Sequence, residues 1–193
     1  MLIATSNRGK VREIGEILAD VGVELVTLAD YSPIPSPEEN GVTFAENARL
    51  KALYYARRTG ELTLADDSGL EIEALGGAPG IESARLGGIH LPYPEKFALI
   101  EAALRTRPRA SRTARFVCAL AVAQNDRIVF EAHGEVDGEI APEPRGHEGF
   151  GYDPIFLYPP LGCTLAEAGA QKAAISHRGR ACRALRAFLV EAL

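Results

Sequence analysis

Two neighbouring carboxylates, Asp66 and Asp67, stand in the stretch LADDSGLEI between an apolar run and a glycine. Adjacent like charges each make the other harder to ionise, so the pair calls for an offsetting cation or for full solvation. A hard divalent ion such as magnesium meets the first need, because it takes one or two carboxylates together with phosphate oxygens of a substrate. A polar turn meets the second, since Asp and Ser bond local backbone and Gly turns it. Further carboxylates for an ion, Glu38 and Glu39, lie in the stretch YSPIPSPEENG. Its three prolines exclude regular structure, and an irregular segment of that length is often functional.

Three other stretches carry chemistry. TSNRGK, Thr5 to Lys10, falls between an apolar run and a helical pattern, where free N–H groups and the helix dipole attract anions and Lys10 adds charge. It is not the common phosphate loop, because Ala4 stands at the leading glycine and Val11 at the magnesium-holding Ser or Thr. The competing reading is an ordinary turn capped by Ser or Asn. In GFGYDPIF, Phe150 and Tyr152 sit among glycines, which lets backbone approach a flat ligand while a ring stacks on it. Core aromatics in a turn are the alternative. SHRGRA sets His177 and Arg178 at a helix start, with Lys172 upstream. Cations there oppose the helix dipole, which suggests a use such as gripping a phosphate or base oxygen. The alternative is a basic surface continued by Arg180, Arg183 and Arg186. No Ser or Cys sits in a nucleophile motif, and the histidines lack metal-ligand spacing.

The elements that must position these residues follow from periodicity. Leu2 to Thr5 reads as a strand, and Val11, Ile14, Ile17, Leu18 and Val21 recur at helical spacing. Val23 to Leu28 is a second strand. Thr43 and Glu46 match a capping box opening the helix FAENARLKALYYARR. Leu62 to Ala65 forms a strand ending at the acidic pair, with LEIEAL alternating after it. A helix over Lys96 to Leu104 precedes two strands, Phe116 to Ala123 and Ile128 to Val136, joined through QNDR as a hairpin. A final helix starts from a Ser176 cap. Interleaved helices and strands, then a strand-rich half, predict an α/β or α+β domain around one mixed sheet.

At 193 residues, 47% hydrophobic and 24% charged, the chain is of globular composition and fits one domain of two lobes. A net charge of -5 opposes general affinity for nucleic acid or anionic membranes. The five arginines between Arg105 and Arg115 lack interleaved aromatics and read as a solvated face. No run approaches the roughly 18 apolar residues of a membrane span. Three cysteines without a CxxC pair suit a reducing cytoplasm.

Taken in order, TSNRGK, EENGVTFAENARLKA, ADDSGLEIEALGGAPGIESAR, TARFVCALA, GFGYDPIF and SHRGRA resemble the HAM1/RdgB family of inosine triphosphate pyrophosphatases. The resemblance spans Thr5 to Ala181. It implies an α/β fold with a long mixed sheet flanked by helices, an active-site cleft between two lobes, and a homodimer. It also implies Mg2+-dependent hydrolysis of ITP, dITP and XTP to monophosphate and pyrophosphate. Carried over by position, Thr5, Ser6, Asn7, Arg8, Gly9 and Lys10 correspond to the phosphate loop. Asp67 corresponds to the catalytic base and a metal ligand, Glu38 to the second metal carboxylate with Glu39 beside it, and Lys51 to a lysine facing the phosphates. Asp66 would steady the ligand shell, and Ser68 would contact substrate. Phe150, Gly151, Tyr152 and Asp153 match the base-binding stretch, with Lys172, His177 and Arg178 the remaining contacts. The sequence departs from the pattern at LGGIHLPYPEKF and at Gln171, where an acid often precedes the lysine. A pyrophosphatase for modified pyrimidine triphosphates and a silent nucleotide sensor are the rival readings.

Overall fold

The computed structural model describes residues 1–107 and 110–192. Seven strands form one mixed sheet among the described residues, in the order β2-β1-β3-β4-β5-β6-β7. They are β1 (Leu2–Ile3), β2 (Val26–Thr27), β3 (Thr63–Ile72), β4 (Thr113–Gln124), β5 (Arg127–Ile140), β6 (Phe156–Tyr158) and β7 (Cys163–Thr164). β1 runs parallel to β2 and β3, whereas β6 is antiparallel to β5 and β7. The helices are α1 (Arg8–Leu18), α2 (Phe44–Thr59), α3 (Tyr93–Arg105), α4 (Lys172–Ile175) and α5 (His177–Ala192). None is long and apolar enough to cross a membrane.

The chain divides into two compact units. The first comprises residues 1–67, 118–134 and 177 onward. Its core joins Ile14 and Leu18 of α1 to Leu64, Cys118, Leu120 and Val122 of the strands and to Ala181, Leu185 and Leu189 of α5. The spacings of four and eight residues put each helix's apolar side chains on one face. α5 comes close to β5: a Cβ on Gly134 would lie 2.2 Å from the His177 carbonyl oxygen. The second unit comprises 68–117 and 135–176. Its core holds Leu70, Ile72, Phe97, Ile100, Phe116, Tyr152, Phe156 and Leu165, with the Phe116 and Phe156 rings 4.5 Å apart.

α2 is stopped and started by local chemistry. Thr43 Oγ1 accepts from the Glu46 N–H at 3.1 Å, and Glu46 Oε2 accepts from the Val42 N–H at 2.7 Å. Gly60 ends it in the left-handed region, φ 74°, which costs glycine little. The proline-rich segment is irregular and tied to α2 by the Tyr54 hydroxyl, which donates to the Pro35 carbonyl at 2.8 Å.

Two strands and the arginine run differ from the sequence expectation. β2 is shorter than Val23 to Leu28, because the Asp30 carboxylate accepts from the Thr27 N–H and hydroxyl (2.7 and 2.9 Å) and turns the chain into a short 3-10 segment, Leu28–Asp30. β3 does not end before the acidic pair but runs through it to Ile72. The arginine run is only partly solvated. Arg112 donates to the Ile140 and Ala141 carbonyls (2.6 and 3.0 Å), and Arg115 bridges Glu71 and Glu135. Pro108 and Arg109 of that run lie outside the described residues.

Candidate active site

Successive residues of a strand point to opposite faces, so Asp66 and Asp67, sitting inside β3, need not share a partner. They do not. Asp66 accepts from Arg178 Nε at 3.0 Å and from the Cys118 thiol at 3.2 Å, and is ion-paired with Lys10. Arg178, only 2% exposed, extends its other nitrogen to Glu13 Oε2 at 2.7 Å. Burial alone would push the Asp66 carboxyl up, but Arg178 and Lys10 outweigh it and hold the group well below the usual carboxylate range.

Asp67 belongs to a different set. Lys51 Nζ donates to its Oδ1 at 2.9 Å and Asn47 Nδ2 to its Oδ2 at 3.2 Å. Glu39 Oε1 lies 3.5 Å from the same ammonium. Burial pushes the Asp67 carboxyl above its ordinary value despite Lys51. Burial would lower the Lys51 ammonium, yet Asp67 and Glu39 together raise it. The opening problem of two adjacent like charges is therefore met by side chains: each carboxylate has its own buried cation.

The sequence leaves two acids, Glu38 and Glu39, as candidates for the second metal carboxylate. Glu39, one residue beyond Glu38, is the acid brought beside Lys51 and Asp67, while Glu38 is exposed. The segment has no regular period from which its facing residue could be deduced. Among the described residues no group of three or more His, Cys, Asp or Glu gathers to hold a metal. The site offers a carboxylate pair, the number that suits magnesium when phosphate oxygens complete its shell. Lys51 already occupies a place between the two acids where positive charge is required, so Asp67 and Glu39 fit such an ion.

The stretch Thr5 to Lys10 is held by its own side chains. Thr5 Oγ1 accepts from the Asn7 N–H at 3.2 Å, and Asn7 Oδ1 caps α1 by accepting from the Gly9 and Lys10 N–H groups at 2.9 and 3.2 Å. Ser6, Asn7 and Arg8 are exposed. An anion at this helix start would meet N–H groups that Asn7 already serves.

In the second unit, Asp153 Oδ2 accepts from the Phe150 N–H at 2.7 Å and from Lys172 Nζ at 2.5 Å. The ammonium also sits 4.9 Å from the Phe150 ring centre, a cation–π placement. Gly149 permits this approach, since a Cβ there would lie 2.2 Å from Asp153 Oδ2. Tyr152 is buried against Tyr93, and its hydroxyl donates to the Ser83 carbonyl at 2.7 Å. Tyr152 thus serves the core and anchors the stretch, while Phe150 is only half-buried. Gly151 lies between them, Ser68 follows Asp67 half-buried, and His177 is buried at the start of α5. The sequence reading missed Asn47 and Glu13. Asn47 precedes Lys51 by four residues and Glu13 follows Lys10 by three, spacings that share a helix face and could have flagged both.

The mixed α/β fold is shared with solved proteins. The structure matches a HAM1 protein from Coxiella burnetii with a TM-score of 0.90 and 42% identity over 98% of each chain. It matches the Staphylococcus aureus Ham1 protein with a TM-score of 0.86 and 38% identity, covering 100% of this chain and 98% of that one. The Ham1 family model matches residues 1–188, and the chain belongs to that family. It is 50% identical over 186 residues to a dITP/XTP pyrophosphatase of Thermus thermophilus, spanning 96% of this chain and 89% of the relative. A dITP/XTP pyrophosphatase of Exiguobacterium sibiricum is 45% identical over 190 residues, spanning 98% and 96%.

Proposed function

We propose that this protein hydrolyses the non-canonical purine nucleoside triphosphates dITP, ITP and XTP to the monophosphate and pyrophosphate. The observation that carries the reading is near-full-length identity of 45–50% to relatives named dITP/XTP pyrophosphatases. The residue roles draw on the geometry around Asp67.

Asp67 is assigned as the general base. It takes a proton from the water that attacks the α-phosphorus; the bond from that phosphorus to the β-phosphate oxygen breaks, and pyrophosphate leaves. A carboxyl raised by burial is a better base than an exposed one. Lys51 and Lys10 lie beside the two acids and are assigned to the negative charge that gathers on the phosphate oxygens, the largest demand of such a reaction. Mg2+, when bound by Asp67 and Glu39 with the phosphates, would supply further charge neutralisation. Thr5 to Lys10 are assigned to the triphosphate, with Ser68 as a further contact. Asp66 holds Lys10 and, through Arg178, the start of α5, where His177 and Arg178 are assigned as the remaining substrate contacts.

The purine is assigned to Phe150, Gly151, Tyr152 and Asp153 with Lys172. A buried donor, from His177 or a backbone N–H near Asp153, would pair with a 6-oxo group and be left unpaired by adenine. Such a site rejects the wrong partner by up to about 10⁴–10⁵-fold. The active form is proposed to be a homodimer, which sedimentation would test. The decisive experiment measures pyrophosphate release from dITP, XTP, dUTP, dATP and dGTP, with and without chelator. Release from dITP and XTP that the chelator abolishes is expected. Preference for dUTP, or triphosphate binding without turnover, would overturn the reading.

A further inference from the structure

One buried amide of the first unit has no place in the chemistry so far. Asn47 on α2 is 0% exposed. Its Nδ2 donates to Asp67 Oδ2 at 3.2 Å, and its Oδ1 accepts from the Gly41 N–H at 2.9 Å. The two bonds fix the amide, because turning it over would set oxygen against a carboxylate and an NH2 group against an N–H. Lys51, one helical turn on, holds the other Asp67 oxygen at 2.9 Å. Two residues of one helix face therefore stop the Asp67 carboxylate from rotating. The bond to Gly41 grips the proline-rich segment two residues after Glu39. The grip is close: a Cβ on Gly41 would lie 2.7 Å from Asn47 Oδ1 and 2.8 Å from Glu46 Cβ.

We propose that Asn47 is a positioning residue that aims Asp67 and ties the Glu39 segment to it, so that the two carboxylates are presented together. Asn47 is not needed to cap α2, since Thr43 does that. It does not touch the reacting atoms; it acts through Asp67. The proposal rests on the function proposed above.

The test compares wild type, Asn47→Ala, Gly41→Ala and the double variant. Folding is followed by thermal melting, kcat and KM by pyrophosphate release from dITP, and Mn2+ binding to the substrate-free protein by electron paramagnetic resonance. Loss of a residue that orients a metal or catalytic carboxylate costs about 10- to 100-fold in affinity or activity. The expected result is a kcat loss of that size in Asn47→Ala, with KM little changed and melting still cooperative. Gly41→Ala is expected to lose kcat as well, although it leaves Asn47 in place and only crowds its amide and the Glu46 stem. Mn2+ binding is expected to weaken in both, and the double variant to be no worse than Asn47→Ala alone, the mark of one shared linkage. A wild type that releases no pyrophosphate from dITP overturns the proposed function, and this inference with it. An active wild type with both variants at full kcat, or losses confined to KM, overturns the inference alone. Unfolding of both variants does the same, by making Asn47 a structural residue.

Discussion

The two aspartates of β3 have opposite titration behaviour. Burial raises Asp67, so its proton is shed at a higher pH than that of an ordinary carboxyl. As the proposed general base it must be ionised, and kcat/KM for dITP is expected to fall on acidification from a pH above the ordinary Asp value. A pH–rate profile of the wild type checks this; a rate unchanged down to about pH 4, near the ordinary Asp value, would remove Asp67 from the role. Asp66 is depressed by Arg178 and Lys10. A carboxyl lowered in the folded state stabilises it above the unfolded value of about 3.9, and that stability is lost as the pH falls below it. Asp66→Asn leaves Arg178 buried without one of its counter-charges, a loss of about 3–5 kcal/mol when a buried pair is broken. Urea denaturation at neutral pH measures it, and the variant is expected to lose the acid sensitivity that Asp66 confers. At this scale Asp67, Lys51 and Lys172 were legible as candidates because they are charged residues within motifs that follow one another in order along the chain. Glu39 was not separable from Glu38, because an irregular loop has no period. Asn47 was overlooked because a lone amide in a helix carries no charge to announce it.

Elements were legible where their pattern is long. α2, with its Thr43 cap and Gly60 stop, and the β4–β5 pair, turned by Asn125 at φ 54°, follow the residues that favour them. β3 was misjudged because Asp, Asp, Ser and Gly are turn residues in isolation. Their strand state depends on buried cations supplied by α1, α2 and α5, which no local window contains. α5 depends on Gly134 in turn. Gly134→Ala would drive a methyl group into the His177 carbonyl and the Ala181 nitrogen, 2.2 and 2.8 Å from the Cβ position. Overpacking of this kind costs about 1–3 kcal/mol. The expected outcome is lower stability in urea together with a fall in kcat, since the helix carries Arg178, which holds Asp66. Full activity at unchanged stability would mean that the helix can shift freely.

The whole molecule was legible as a mixed α/β protein, but not as two units interleaved in sequence. The chain passes from one to the other after Asp67, Val117, Gly134 and Ser176. A fragment of residues 1–117 would lack parts of both cores, including Leu120, Leu185, Phe156 and Leu165. It is expected to show no cooperative melting and poor dispersion in NMR spectra, and the full chain to melt in one transition. Two of the four passages fall inside the acidic stretch and at the His177–Arg178 pair. For inheritance this nesting has a consequence: a single recombination event between two related genes cannot exchange either unit intact. A single exchange point between residues 68 and 148 would join Glu39 and Asp67 from one parent to the aromatic loop of the other, but it would also divide both cores, so a hybrid of that kind inherits two interiors assembled from unlike halves.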